Sequence, residues 1–136
     1  MLVQQVFTLT SKRAARWLPS CYLRLLCKLV GVKIEVSGEL PKPGPALLVG
    51  NHVSWIDIPI VGSLMPTTFI AKREIGTWPL ISHLAKLQGT VFVDRIRRQT
   101  VLKSRDQMQN RLKAGDKLVL FPEGTSNDGK AVLPFK

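Results

Sequence analysis

The hydrophobic and polar positions between Ala14 and Val30 follow the pattern of an amphipathic helix, with apolar side chains recurring every three or four residues. Basic residues lie between the apolar ones: Arg13, Arg16, Arg24 and Lys28. Because Pro19 is tolerated only in a first helical turn, the pattern predicts a regular helix from near Pro19 to just before Gly31, with a separate short helix preceding it. Such a helix could lie in a membrane interface or pack on its own domain, and the pattern favours neither.

The rest of the chain alternates between strand-like and helix-like segments. Residues 32–36 alternate apolar and polar side chains, which predicts a half-exposed strand. Short apolar runs typical of buried parallel strands follow at residues 46–49, 68–71, 90–93 and 118–121. Helix-like segments lie between them at residues 54–64, 79–87 and 97–114, the last closed by Gly115. This order predicts an α/β fold with a largely parallel sheet, whose functional residues lie at the carboxyl ends of the strands.

Composition adds one strong feature, a net charge of +11. The length of 136 residues allows at most one domain. The hydrophobic fraction of 45% excludes an extended disordered chain. The longest stretches without a charged side chain have 14 residues, whereas a membrane-spanning helix needs about 20. The start of the chain also lacks the charge pattern of a secretory signal peptide. The charge predicts an anionic partner, which could be nucleic acid, an anionic membrane surface, or a phosphorylated or acidic substrate.

A histidine and an aspartate follow the predicted strand 46–49. His52 and Asp57 are five residues apart, so they can meet only if His52 lies in the turn and Asp57 in the first turn of the helix. There the carboxylate would orient the imidazole and leave one ring nitrogen to accept a proton from a hydroxyl. In the structural alternative, Ser54 and Asp57 form a capping box at the start of the helix. That alternative leaves His52 unexplained.

Arg95 follows the predicted strand 90–93. Its guanidinium could bind a phosphate, or it could form a surface pair with Asp94, and the residues alone favour the surface pair.

The sequence lacks the Gly-x-Ser-x-Gly motif of serine hydrolases. His52, Asp57 and His83 lack the spacing of a metal site.

The segment after the last predicted strand imitates a phosphate-binding P-loop. Gly124, Gly129 and Lys130 have the P-loop spacing. Ala131, however, stands where a P-loop needs a hydroxyl for Mg²⁺, so nucleotide binding is disfavoured.

Five segments together carry a resemblance to a known family: NHVSWID (51–57), KRE (72–74), GTVFVDR (89–95), FPEGT (121–125) and VLPFK (132–136). In this order they resemble the glycerolipid acyltransferases, which acylate glycerol 3-phosphate, lysophosphatidate and other lysolipids. The resemblance implies an α/β fold with an amphipathic helical segment over residues 1–31 and a catalytic domain over residues 32–136. It also implies direct acyl transfer, without an acyl-enzyme, from acyl carrier protein or coenzyme A to a lysolipid hydroxyl.

The resemblance further implies a role for each site residue. His52 would be the general base and Asp57 its orienting partner. The implied substrate-binding residues are Arg95 for the acceptor head group and Glu123, Gly124 and Thr125 for the glycerol side of the cleft. No metal or bound cofactor is implied beyond the acyl thioester. The implied setting is the cytoplasmic face of a membrane. The positive charge then has three fitting targets other than nucleic acid, which are anionic lipid, acidic carrier protein and the phosphates of coenzyme A.

The sequence departs from the family at two places. Ser126 stands where phosphate-binding members commonly carry Arg, and the missing charge-assisted contact is worth about 1.5 to 3 kcal/mol. Acceptors without a terminal phosphate, such as lyso-ornithine lipid, are therefore ranked level with lysophosphatidate. The family's catalytic domain normally continues past the last motif, so we expect an incomplete domain. The rival interpretation is a basic module that binds membrane or nucleic acid, in which the histidine pair only caps a helix.

Overall fold

The computed structural model describes residues 12–77, 85, 88–93 and 98–135. The chain forms two compact units, one from Met1–Glu39 with Ile56–Pro66 and the other from Leu40–Trp55 with Thr67–Lys136. A segment from the middle of the sequence therefore belongs to the same unit as the first helix. The division into residues 1–31 and 32–136 stays a prediction.

The first unit contains two helices, α1 (Lys12–Leu29) and α2 (Asp57–Leu64), which pack against each other. Cys27 of α1 and Ser63 of α2 are buried. The Arg24 Nη2 donates a hydrogen bond of 2.8 Å to the Ser63 carbonyl oxygen in the last turn of α2. A cation at this end of a helix is stabilised by the helix dipole.

Helix α1 starts earlier than predicted. Pro19 lies inside the helix, so the prediction that the regular helix begins near Pro19 is wrong. A proline inside a helix costs about 3 kcal/mol through its missing N–H and its crowding of the preceding turn; Pro19 is buried, and this burial opposes the cost. The end is as predicted, because Gly31 has a φ of +78° and Val32 N donates to Cys27 O at 2.9 Å, the pattern of a Schellman cap.

Residues 32–36 form no β-strand, so the predicted half-exposed strand is wrong. Val32 and Ile34 are half-buried while Lys33 and Glu35 are exposed, which follows the alternation in the sequence. Alternation indicates that one side of a segment is covered, but a strand also needs a neighbour for its hydrogen bonds. None of the strands in the described ranges pairs with this segment.

The second unit contains a four-stranded sheet in the order β1-β4-β2-β3. Its strands are β1 (Ala46–Val49), β2 (Thr68–Lys72), β3 (Val91–Val93) and β4 (Lys117–Leu120). Every neighbouring pair is parallel, so the predicted α/β fold with a parallel sheet is confirmed. Strand β4 has neighbours on both sides, and its Leu118 is fully buried. The core of this unit therefore forms around β4.

The helices agree with the prediction in part. Helix α2 begins at Asp57, three residues later than the predicted start at residue 54, and a 3₁₀ helix (Arg73–Thr77) follows β2. Helix α3 (Arg98–Lys113) matches the predicted segment 97–114 and ends before Gly115, whose φ is +85°. The predicted helix over residues 79–87 lies outside the described residues, apart from Ala85. No helix in the described ranges is long and apolar enough to span a bilayer.

The order of the strands brings two distant segments together. Val49 of β1 is in register with Leu120 of β4, and Gly50 N donates to Leu120 O at 3.2 Å, just past the strand end. Because β1 and β4 are parallel neighbours, the loops that follow them leave the same edge of the sheet side by side.

Candidate active site

His52 lies in the loop that follows β1, and its side chain is half-buried. Its imidazole stacks on the ring of Phe121, the first residue after β4, with centroids 4.4 Å apart and ring planes at 15°. Because both imidazole nitrogens lie in the ring plane, the stack limits the directions in which they can exchange a proton. His52 therefore has a defined ring orientation at the carboxyl edge of the sheet.

The Glu123 carboxylate contacts the backbone of His52 and is fully buried. Its Oε1 accepts a hydrogen bond from the backbone N–H of His52 at 2.9 Å. Its Oε2 accepts from the Leu133 N–H at 2.8 Å and from the Asn127 Nδ2 at 2.6 Å. The Glu123 carboxylate thus joins the loop after β1, at His52, to the loop after β4, at Asn127 and Leu133.

These donors hold the pKa of Glu123 below its ordinary value. The Leu133 N–H lowers the pKa most, followed by the His52 N–H, while burial opposes them and the Asn127 side chain adds to the lowering. Glu123 is therefore an anion at neutral pH. A buried anion of this kind is tolerated because hydrogen-bond donors satisfy it.

Asn127 holds the other side of the His52 backbone. The Asn127 N–H donates to the His52 carbonyl oxygen at 3.1 Å. Its side-chain Nδ2 also donates to Ala131 O at 3.2 Å, and its Oδ1 accepts from the Gly129 N–H at 2.6 Å. The Asn127 side chain thus keeps the turn over residues 127–131 closed while its backbone contacts His52.

Asp57 is the first residue of α2, and its side chain is half-buried. This is the first-turn position that the sequence requires for an orienting partner. The N-cap is Ile56, which makes no side-chain capping bond; the capping-box interpretation places the cap two residues earlier, at Ser54, and stays a prediction. A carboxylate in the first turn is favoured by the helix dipole. Its role as the partner of His52 stays a prediction.

The predicted substrate-binding residues have different surroundings. Arg95 lies outside the described residues. Gly124 has a φ of +67° and donates its N–H to Phe121 O at 3.0 Å, which forms a tight turn after β4. Thr125 is exposed, whereas Glu123 is not. A substrate contact by each of these residues stays a prediction, and for Glu123 the geometry favours a different role.

The turn after β4 does not form a P-loop. The N–H groups of Gly129 and Lys130 donate to the side chains of Asn127 and Asp128 at 2.6 and 3.2 Å, rather than pointing at a phosphate site. Residues 122–135 form turns without a helix, whereas a P-loop opens one. The described residues also contain no group of three His, Cys, Asp or Glu side chains that could hold a metal ion.

Sequence reasoning missed two residues of this site, Phe121 and Asn127. Phe121 reads as the end of an apolar strand, and nothing in its neighbourhood indicates a stack on His52. Asn127 begins an Asn-Asp-Gly run, which is a turn signal in the sequence. Its partners could not have been found, because they depend on the order of the strands.

The pattern of the family described as Acyltransferase matches residues 32–136. The chain belongs to the acyltransferase family. It is similar to the lyso-ornithine lipid O-acyltransferases of Brucella abortus (strain 2308) and Rhizobium meliloti (strain 1021), with 46% and 42% identity over 121 residues, or 89% of the chain. It also resembles the crystal structure of the 1-acyl-sn-glycerophosphate (LPA) acyltransferase from Thermotoga maritima, with a TM-score of 0.67 and 27% identity over 93% of the chain.

These similarities confirm the resemblance to glycerolipid acyltransferases. The match covers 45% and 41% of the two relatives and 53% of the Thermotoga maritima chain. The chain thus spans about half the length of these acyltransferases. It carries the segment in which His52, Asp57 and Glu123 lie.

Proposed function

We propose that this acyltransferase-family chain moves a fatty acyl group from an acyl thioester directly to the hydroxyl of a lysolipid, in the synthesis of membrane lipids. The observation that carries the proposal is the placement of His52. Its ring stacks on Phe121 at the carboxyl edge of the sheet, and its backbone is bonded by Glu123 and Asn127. A histidine held in this way suits a general base, which must meet a hydroxyl in one fixed geometry.

In the proposed reaction, His52 handles the proton in both steps. The hydroxyl oxygen of the lysolipid attacks the thioester carbonyl carbon while its proton passes to a ring nitrogen of His52. The tetrahedral intermediate then breaks its C–S bond, and the imidazolium returns the proton to the departing sulfur. The products are an ester and a free thiol. No acyl group is attached to the protein.

Asp57 is the proposed orienting partner of His52. A carboxylate bonded to one imidazole nitrogen selects the tautomer and stabilises the imidazolium that forms when the other nitrogen takes the proton. Support comes from the position of Asp57 as the first residue of α2, five residues after His52.

The acceptor that we propose is lyso-ornithine lipid, with lysophosphatidate as the second candidate. The two relatives named above are lyso-ornithine lipid O-acyltransferases. Ser126, at the position where phosphate-binding members commonly carry Arg, is exposed together with Thr125. An ornithine head group has no phosphate monoester, so it does not need the missing guanidinium. The donor is acyl carrier protein or coenzyme A carrying the acyl chain.

The proposed location is the cytoplasmic face of a membrane, with α1 as the contact. Large apolar side chains of α1 are exposed: Trp17, Leu25 and Leu29. Arg16 and Lys28 on the same helix are also exposed. Exposed apolar side chains beside basic ones suit a helix that lies in the interface of an anionic bilayer.

An acyl-transfer assay with a panel of acceptors tests the proposal. Two donors are offered in parallel, acylated acyl carrier protein and acyl-coenzyme A, each labelled in the acyl chain. Each donor is combined with lyso-ornithine lipid, lysophosphatidate or lysophosphatidylcholine. We expect thiol release and a labelled lipid product, with kcat/KM for lyso-ornithine lipid about 10-fold or more above that for lysophosphatidate, the size of one missing charge-assisted contact.

A matched variant sharpens the assay. Ser126→Arg should raise kcat/KM for lysophosphatidate and leave that for lysophosphatidylcholine unchanged. If no donor and acceptor pair releases thiol, and the protein instead shows salt-sensitive binding to DNA or anionic vesicles, the rival basic binding module replaces the enzyme.

A further inference from the structure

Glu123 has the geometry of a residue that holds the active-site loop rather than one that contacts substrate. We propose that Glu123 and Asn127 are positioning residues, which together fix the backbone of His52 for proton transfer, and that Glu123 makes no contact with the acceptor. The inference rests on the proposed function, since it assigns these residues a task within that reaction. It replaces the expectation that Glu123 lines the glycerol side of the cleft.

The first support is the pair of bonds to the His52 backbone. Glu123 Oε1 accepts from the His52 N–H at 2.9 Å, and the Asn127 N–H donates to the His52 carbonyl oxygen at 3.1 Å. Both polar backbone groups of the residue that carries the imidazole are thus engaged by the same loop. With the backbone held on both sides and the ring stacked on Phe121, the remaining freedom of His52 is small.

The second support is the state of the Glu123 carboxylate. The residue is fully buried, and three donors from the described residues converge on its two oxygens, at 2.6 to 2.9 Å. Because the carboxylate is fully buried, a substrate hydroxyl could reach it only if the loop around it moved and disturbed these hydrogen bonds, which is costly. The carboxylate therefore serves best as the fixed centre of the loop.

The third support is the link between Glu123 and Asn127. The Asn127 Nδ2 donates to Glu123 Oε2 at 2.6 Å, while its Oδ1 accepts from the Gly129 N–H at 2.6 Å. This orientation of the amide is set by its partners, because the opposite one would turn oxygen toward the carboxylate and toward Ala131 O. A change in either side chain is thus transmitted to the His52 backbone through a connected set of bonds.

The test compares Glu123→Gln, Asn127→Asp and the double variant in the full-length protein, measuring kcat, acceptor KM and thermal stability. In Glu123→Gln, either orientation of the amide turns its NH₂ group toward an N–H donor, so the loop must shift. Since a displacement of about 1 Å can cost about 10²-fold in rate, we expect kcat to fall about 10²-fold while acceptor KM stays within about threefold.

The double variant should regain part of that loss. The amide oxygen of the introduced glutamine can again accept from the His52 N–H, while its NH₂ group donates to the carboxylate introduced by Asn127→Asp. The contacts to the Leu133 N–H and to Ala131 O remain mismatched, so the recovery is partial. We expect kcat to recover about 10-fold relative to Glu123→Gln, a coupling that independent residues do not show. The matched controls are Glu35→Gln and Asn110→Asp, both on exposed side chains, which should leave kcat and KM unchanged.

Several results would overturn the inference. If Glu123→Gln keeps kcat within twofold, or raises acceptor KM 10-fold or more with kcat unchanged, Glu123 is a substrate contact or has no role in positioning. If Glu123→Gln does not fold, Asn127→Ala takes its place, with an expected loss in kcat of about 10-fold and an unchanged KM; an unchanged kcat would refute the inference. If the wild-type protein acylates no acceptor, the proposed function itself is refuted. That result is distinguishable from the outcomes above, because they all require an active wild-type protein.

Discussion

The two compact units of this chain are stabilised in different ways. Around His52, directional bonds to a single buried carboxylate and a ring stack define the geometry. In the helical unit, α1 and α2 pack against each other and Cys27 and Ser63 are buried, while Leu25 and Leu29 remain largely exposed. The comparison teaches that an isosteric change of one atom should matter around His52 and at Asp57, whereas elsewhere in the helical unit only changes in buried volume or in the exposed surface should matter.

The largest contrast is expected in stability, between two leucines. Leu118 is fully buried in β4, and Leu29 at the end of α1 is 77% exposed. We expect Leu118→Ala to lower the free energy of unfolding by about 2–5 kcal/mol, and Leu29→Ala to change it by less than about 0.5 kcal/mol. Chemical denaturation measures both. Equal losses would mean that Leu29 is buried against a surface that the described residues do not provide.

The next contrast concerns the rate of acyl transfer and Asp57. Asp57→Asn removes the negative charge that stabilises the imidazolium in the proposed mechanism, so we expect kcat to fall about 10²-fold or more. Asp106→Asn, on an exposed aspartate of α3, is the control and should leave kcat unchanged. Steady-state kinetics with the preferred acceptor decide. A rate for Asp57→Asn above a third of wild type removes Asp57 from the site.

Membrane association should respond to the helical unit alone. We expect Leu29→Ser to weaken binding to anionic vesicles about 10-fold, because a leucine in the interface contributes roughly 1.5 kcal/mol. Leu102→Ser on α3, where the leucine is 44% exposed, is the matched control and should bind as wild type. Flotation with liposomes provides the measurement. Equal weakening by both changes would argue against α1 as the specific contact.

The smallest effect is the pH dependence of stability that comes from Glu123. Its pKa is lower in the folded chain than in the unfolded one, where a glutamate titrates near 4.3. The stabilisation is therefore complete above that unfolded value and is lost as the pH falls through the folded value. Unfolding free energies measured from pH 6 downward should decline more steeply for wild type than for Glu123→Gln. Parallel curves would contradict the assigned network.

Much of the fold follows from local patterns in the sequence. The apolar runs became strands β1 to β4, and Gly115 ends α3 as its position predicts, because burial and a left-handed turn are properties of a few neighbouring residues. The errors have local causes as well. Pro19 does not break α1, because it lies inside the helix and is buried, and the alternation over residues 32–36 indicates a covered side but not a strand partner.

The centre of the site could not be predicted in the same way. His52 and Asp57 stood out by their spacing, but the bond from His52 to Glu123 joins residues 71 positions apart. It exists because β4 lies next to β1, an order set by packing of the whole sheet rather than by any periodicity. For this reason the family resemblance implies that Glu123 lies on the glycerol side of the cleft, whereas its burial indicates a positioning role.

The central claim is that His52 is the base that takes the proton of the lysolipid hydroxyl. The direct measurement is thiol release by His52→Ala beside wild type, with His83→Ala, at the only other histidine of the chain, as the control. We expect His52→Ala to lose about 10² to 10⁴ of the rate and His83→Ala to keep it. A His52→Ala protein that stays folded and retains more than about a tenth of the wild-type rate would contradict the mechanism.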